Sequence, residues 1–340
     1  MKVQIVCRGG VDEGLGHLFR ARTFARAALK EHEVRLIPII DEPLEILFYD
    51  LKCEKRYVRY DNDIIGFIRD FNPDIVLFDL TGIDTEIIRV IRRFSSLVAS
   101  LSPVFNNAEQ LDILFTRSSR FKALPETKIY GSLQYSIFNE HVSVIDDIVY
   151  ERNLSNSQLP VAISMGGADA VNKTLTVLKA LVRLKPSFSF WVLLGEGYEH
   201  SLDELVKVTK SNPIHEVVLA KTSRSMWNVM SNCSVGIFPG GLTTIEAVYA
   251  GLPSINLFES KGHLDATGKE LFESGACING GFFSDGSLSQ LVSSLTELHL
   301  DRSQLMEIRR RTKGLVDLHG CERVLEKLEY HFKQKASNQC

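Results

Sequence analysis

The chain has 340 residues, 44% of them hydrophobic and 24% charged, which is the make-up of an ordinary globular protein longer than one core usually organises. Two domains are therefore expected, and a formal net charge of −3 gives no electrostatic basis for gripping a polyanion, which argues against nucleic acid as a partner. Neither a leader, which would need an apolar core behind a basic start, nor a transmembrane segment, which would need about 18 apolar residues, is expected; the six cysteines form no Cys-x-x-Cys pair, so a reduced, cytoplasmic protein without a zinc site is expected.

In chain order, the apolar run Val3–Cys7 predicts a strand, and Leu18, Ala21, Phe24, Ala25, Ala28 and Leu29 recur at the spacing of a helix over 15–30. Strands at Val34–Ile40, Ile75–Phe78, Leu97–Leu101 and Ile113–Phe115 alternate with helical patterns at 62–71 and 84–94. The polar, aperiodic stretch Asn153–Pro160 reads as a linker. Beyond it the pattern restarts: strand Val161–Met165, a helix from Asn172, and strands Phe190–Leu194, Val217–Leu219, Val235–Phe238 and Ser254–Leu257. A mostly helical last third ends with Cys321–Phe332. This alternation predicts α/β architecture with parallel sheets. The expected domains are 1–152 and 160–318, with a C-terminal helix at 319–335 packing back on the first.

Three glycine turns stand between a strand and a helix. In Gly14-Leu15-Gly16-His17 a histidine is held where the turn opens into the helix, among N–H groups that lack helical partners and favour anions. The second turn, Ser164-Met165-Gly166-Gly167-Ala168-Asp169, has paired glycines that let backbone approach a phosphate. In the third, Gly240-Gly241-Leu242-Thr243-Thr244-Ile245-Glu246, diphosphate oxygens could take the free N–H groups and the Thr243 or Thr244 hydroxyl, while Glu246 accepts from a ribose. The plain alternative for each is glycine serving a positive φ and threonine serving as an N-cap. A dinucleotide fingerprint is disfavoured: its third glycine would fall on Phe19, although Asp41 imitates the ribose-binding acid.

Arg8…Gly14-x-Gly16-His17-x-x-Arg20, Ser164-x-Gly166-Gly167-x-Asp169-x-x-Asn172 and Gly240-Gly241-x-Thr243-x-x-Glu246-Ala247-x-x-x-Gly251-x-Pro253 together resemble one nucleotide-sugar family. It comprises the pseudaminic-acid-pathway UDP-sugar hydrolase and the spore-coat polysaccharide biosynthesis glycosyltransferase-like proteins. The tail Gly314…Asp317-x-x-Gly320-x-Glu322-Arg323-Val324 is similar to that family's ending, so the resemblance covers nearly the whole chain. It implies a GT-B fold, two Rossmann-like domains facing across a cleft. It also implies diphosphate at Gly240–Thr244, ribose at Glu246, and His17 over the sugar, assisting water at the anomeric carbon. The chain departs from the hydrolase in two places. Phe78-Asp79-Leu80-Thr81 carries threonine where an aromatic hydroxyl is usual, and Glu259–His263 lacks an Asn-Gln pair.

Cleaving a sugar–diphosphate bond needs stabilisation of the leaving phosphate and a base for the nucleophile; oriented amides suit the first task and imidazole the second. His17 is the expected base rather than a backbone cap, and Asp79 either orients it or caps the following helix. Asp169 and Asn172 divide between capping and ligand contact; Arg20 either meets phosphate or is solvated. His263 reads as a loop residue, Asp61-Asn62-Asp63 as a helix cap, and Arg309-Arg310-Arg311 as a solvated face. No metal or other cofactor is expected, since amides and a helix dipole can replace a cation. The leading function is hydrolysis of a UDP-linked amino sugar in nonulosonic-acid or surface-polysaccharide synthesis. The rivals are a glycosyltransferase and a non-catalytic sugar-nucleotide binding protein.

Overall fold

A computed structural model describes residues 1–10, 13–40, 44–221 and 226–338; Asp41 lies outside them. The chain divides into two units, Met1–Glu140 with Asp317–Cys340, and His141–Val316. In the first, strands β1 (Lys2–Arg8), β2 (Glu33–Ile39), β3 (Glu54–Lys55), β4 (Ile75–Asp79), β5 (Leu97–Ser100), β6 (Ile113–Thr116) and β7 (Lys128–Gly131) form one sheet. Its order is β3-β2-β1-β4-β5-β6-β7 and every pairing is parallel. Parallel strands need crossovers, and these put helices on both faces. The period of two along each strand divides the core accordingly. Ile5, Ile75, Leu77 and Ala99 pack under helix α1 (Gly16–Ala28) and the C-terminal helix Gly320–Asn338. Val6, Val76, Phe78 and Val98 pack under α2 (Ile64–Phe71) and α3 (Thr85–Ile91) on the other face.

The second unit repeats the scheme with β8 (Leu159–Ile163), β9 (Phe188–Leu194), β10 (Glu216–Lys221), β11 (Val235–Phe238), β12 (Ser254–Phe258) and β13 (Ile278–Phe282). The order is β10-β9-β8-β11-β12-β13, again all parallel. Its helices include α4 (Asp147–Leu154), α5 (Lys173–Leu181), α6 (Leu202–Thr209), α7 (Met226–Met230) and α8 (Leu242–Ala250). In both sheets the strand order reverses beside the first strand of the unit, between β1 and β4 and between β8 and β11. Ligands of doubly wound sheets bind outside the carboxyl ends of the strands at such a point. No helix of the described residues is long and apolar enough to cross a membrane.

Three expectations are corrected. The stretch expected as a linker, Asn153–Pro160, runs from the end of α4 into β8. Its polar side chains are tied into the second unit: Asn153 donates to Ser231 O at 2.9 Å, beside Tyr150, whose hydroxyl donates to Ser234 O at 2.8 Å. The chain passes between units at 140/141 and returns at 316/317. Arg309 is buried rather than solvated, donating to Gly251 O and Ile145 O at 2.5 Å each and lying over the Tyr150 ring. Arg310 and Arg311 do face solvent, paired with Glu307. Asp61 and Asp63 make no side-chain cap; Asp61 instead pairs with Arg8 at the end of β1.

Candidate active site

In the first unit the turn after β1 closes on itself, with Gly10 and Gly14 exchanging backbone hydrogen bonds of 3.2 and 2.9 Å and Gly14 at φ +75°. Gly16 then begins α1, behind Leu15, whose side chain cannot cap, so the first amides of the helix have no capping partner. His17 and Arg20 lie one turn apart on α1 and both reach Asp79, the last residue of β4. His17 Nδ1 is 2.7 Å from Asp79 Oδ1, and Arg20 Nε donates to Oδ2 at 2.8 Å while Nη2 donates to Oδ1.

Asp79 is fully buried. Burial pushes its carboxyl up, but the Arg20 charge and the His17 hydrogen bond outweigh burial and hold it below the usual carboxylate range. An ionised carboxylate only accepts, so His17 Nδ1 carries the hydrogen and gives it to Asp79; in the neutral ring the lone pair is then the one on Nε2. Arg20 Nη2, 2.9 Å from Nδ1, sits beside that bond without sharing it. The imidazole is 13% exposed. An imidazole oriented through Nδ1 by a buried carboxylate and reachable from outside is the arrangement of a general base.

In the second unit the turn after β8 places Gly166 at φ +101°, and Gly167 O accepts from Gly197 N at 3.0 Å. Asp169 uses both carboxylate oxygens on the start of α5, accepting from Lys173 N at 2.7 Å and Thr174 N at 2.9 Å. Asn172 Oδ1 accepts from Leu175 N at 3.4 Å and from the Tyr198 hydroxyl at 2.9 Å. Both side chains therefore cap. The turn after β11 differs. Gly240 has φ +79° and approaches Phe258 so closely that a Cβ would lie 2.2 Å from the ring. Gly241 precedes α8 with no side-chain cap, which leaves the leading amides of a nine-residue helix to outside partners. Thr243 is half-buried beside them. Thr244 is buried, and its hydroxyl donates to Asn256 Oδ1 at 2.6 Å. Glu246 is buried on the next turn, where Oε2 accepts from Trp227 Nε1 at 3.0 Å.

No family model matches the chain. The spore coat polysaccharide biosynthesis protein SpsG of Bacillus subtilis is 20% identical over 98% of this chain and 100% of its own length. The chain is a homologue of SpsG. An uncharacterized protein of Methanocaldococcus jannaschii, MJ1062, is 23% identical over 99% of this chain and 71% of that protein. Among solved structures, MurG of Acinetobacter baumannii aligns with a TM-score of 0.69 at 15% identity, covering 97% of this chain and 100% of MurG. The UDP-GlcNAc 2-epimerase of Neisseria meningitidis, bound to UDP-GlcNAc, aligns at a TM-score of 0.62 and 12% identity, over 97% of this chain and 100% of that one. The fold shared by the SpsG homologue and these structures is GT-B-like, α/β with two Rossmann-like units.

Of the residues singled out from sequence, the structure brings Gly14, Gly16, His17, Arg20 and Asp79 together in the first unit. It places Gly240, Gly241, Thr243, Thr244 and Glu246 on one turn of the second, while Gly166, Gly167, Asp169 and Asn172 form the turn after β8. Arg20 is neither solvated nor exposed; it is buried on Asp79. His263 ends a short helical turn, its ring edge-on to Phe258. Sequence reasoning missed two residues. Trp227 meets Glu246 from nineteen positions upstream, and no spacing rule links them. Arg117 follows β6 in the same alternation as Ile113 and Phe115, which was the available signal that it faces the α1 side of the sheet.

Proposed function

We propose that the protein hydrolyses a UDP-linked amino sugar at the anomeric carbon, releasing UDP and free sugar, in nonulosonic-acid or surface-polysaccharide biosynthesis. The observation that carries this reading is the Asp79–His17 pair, which leaves Nε2 as an oriented base. Water gives its proton to Nε2 as its oxygen bonds to the anomeric carbon. The bond from that carbon to the β-phosphate oxygen breaks, and the electron pair leaves with UDP. The uncapped amides at Gly241–Thr243 would receive the growing phosphate charge, and Glu246, held by Trp227, the ribose hydroxyls. Support for a nucleotide sugar comes from the relationship to SpsG, whose name places it in polysaccharide synthesis, and from the likeness to an epimerase that holds UDP-GlcNAc.

A second reading, transfer of the sugar to an acceptor hydroxyl, is supported by the galactosyltransferase WaaB among the similar structures and by Thr81 standing where the hydrolase has an aromatic hydroxyl. The same base would then deprotonate the acceptor. A panel of UDP-sugars followed by NMR decides between them. Free sugar and UDP should appear without any acceptor, and His17→Ala should slow this by about 10²–10⁴-fold. Release of UDP only after an acceptor is added refutes hydrolysis. UDP binding with no turnover of any sugar, with or without an acceptor, refutes both readings in favour of a binding protein, and unchanged turnover by the His17→Ala variant removes His17 as the base.

A further inference from the structure

Arg117 stands at the carboxyl end of β6, 92% buried by its 8% exposure, on the same sheet face as Asp79. Its Nε has no hydrogen-bond partner among the described residues. The carboxylate that ought to neutralise it is taken: both Asp79 oxygens are engaged by Arg20 and His17. Two guanidinium groups, Arg20 and Arg117, therefore stand in the field of one carboxylate. Burial and repulsion from Arg20 press Arg117 down to about 9, with Asp79 relieving only part of it. A guanidinium buried with its Nε unbonded and only a shared carboxylate to offset it is unfavourable, and proteins tolerate one where a ligand completes it.

We propose that Arg117 is a specificity-determining residue that binds an anionic oxygen group of the nucleotide sugar beside His17. That group is either a carboxylate on the sugar or a phosphate of its diphosphate. Either offers two oxygens in the planar spacing a guanidinium fork matches. Arg20 cannot serve instead, because its fork is already closed on Asp79. This inference rests on the nucleotide-sugar reading and adds a substrate class to it: the first unit requires charge from its ligand, where a neutral sugar and a water molecule would leave Arg117 uncompensated.

Calorimetric titration of the full chain with UDP, UDP-glucose and UDP-glucuronate, for wild type, Arg117→Met and Arg117→Lys, tests it. If the anion is a phosphate, Arg117→Met weakens all three at least tenfold and Arg117→Lys recovers part of the loss. If it is a sugar carboxylate, wild type prefers UDP-glucuronate to UDP-glucose by at least tenfold and Arg117→Met erases that preference alone. Affinities unchanged within twofold across all three ligands overturn the proposal, while continued UDP binding keeps the nucleotide-sugar reading. Melting temperature supplies a second readout that needs no nucleotide. In buffer free of multivalent anions Arg117→Met should melt above wild type, since a buried uncompensated charge is gone, and added inorganic phosphate should raise wild type more than the variant. A variant that melts below wild type without anions marks Arg117 as an ordinary structural residue and overturns the proposal. A wild type that binds no UDP, with the phosphate response intact, instead sinks the nucleotide-sugar reading.

Discussion

Thr244 donates its hydroxyl to Asn256 Oδ1 at 2.6 Å inside the second unit, whereas Thr243, one residue earlier, stays half-buried at the mouth of the α8 turn. The two should fail in different ways. Thr244→Val strands the Asn256 carbonyl oxygen, an unsatisfied buried acceptor worth about 1–3 kcal/mol of stability, and should leave UDP affinity as it is. Thr243→Val should change stability by no more than about 0.5 kcal/mol and weaken UDP severalfold. Denaturant unfolding and UDP titration on both variants check this, and the reverse pattern would move the phosphate contact off Thr243. Sequence alone could not divide them, because both obey the spacing of a helix start and only Asn256, twelve residues on, separates them. The same holds for Asp79. Its position at a strand end was legible, but whether it caps a helix or orients His17 depends on α1 crossing over β4.

The buried strands were legible because they are continuous runs of Val, Ile, Leu and Phe bounded by glycine or proline; β1, β2, β4, β5 and β6 lie close to where those runs predict them. The strands that escaped are at sheet edges and carry little apolar signal. They are Glu54–Lys55 in β3, Lys128–Gly131 in β7, and Ile278–Phe282 in β13, which is interrupted by Gly280 and Gly281. What holds such an edge together is specific. Between β9 and β10, His215 accepts from Phe188 N on Nδ1 at 3.3 Å and donates from Nε2 to Leu184 O at 3.1 Å. The bond accepted on Nδ1 needs the neutral ring, and burial holds His215 below its ordinary pKa of 6.5. Burial also lowers His299, which packs on Phe188, and His331. In the window below 6.5 the unfolded chain takes up protons that the folded chain refuses. Stability should thus be full above that value and fall as pH drops from 7 towards 5. Unfolding midpoints measured across that range should decline for wild type and decline less steeply for His215→Gln. A flat profile for wild type would mean that these rings protonate in the fold without penalty.

At the scale of the molecule, two α/β halves could be read from the restarting pattern, but the true crossings at 140/141 and 316/317 could not. Asn153–Pro160 has the composition of a linker, yet its side chains bond into the second unit, and composition carries no record of such partners. The tail is the converse case. Gly320 lies so near Ser136 O that a Cβ would approach it to 2.0 Å, and Arg323, held by Asp317, donates to Gln134 O at 3.0 Å, which fixes the returning helix on the first unit. Each unit thus presents one uncapped helix, α1 or α8, at the reversal point of its sheet. If one substrate uses both, its parts should be felt separately. Amides at an uncapped helix start exchange freely with solvent until an anion occupies them, and a bound ligand slows opening in proportion to its occupancy. UDP at about 100 times its Kd should protect the 241–246 segment by up to about 100-fold while leaving 14–18 little changed. An intact nucleotide sugar, with His17→Ala used to prevent turnover, should extend protection to 14–18. Hydrogen exchange read by mass spectrometry distinguishes this from the alternative in which UDP alone protects the first unit and spares the second. That result would reverse the roles assigned to α1 and α8.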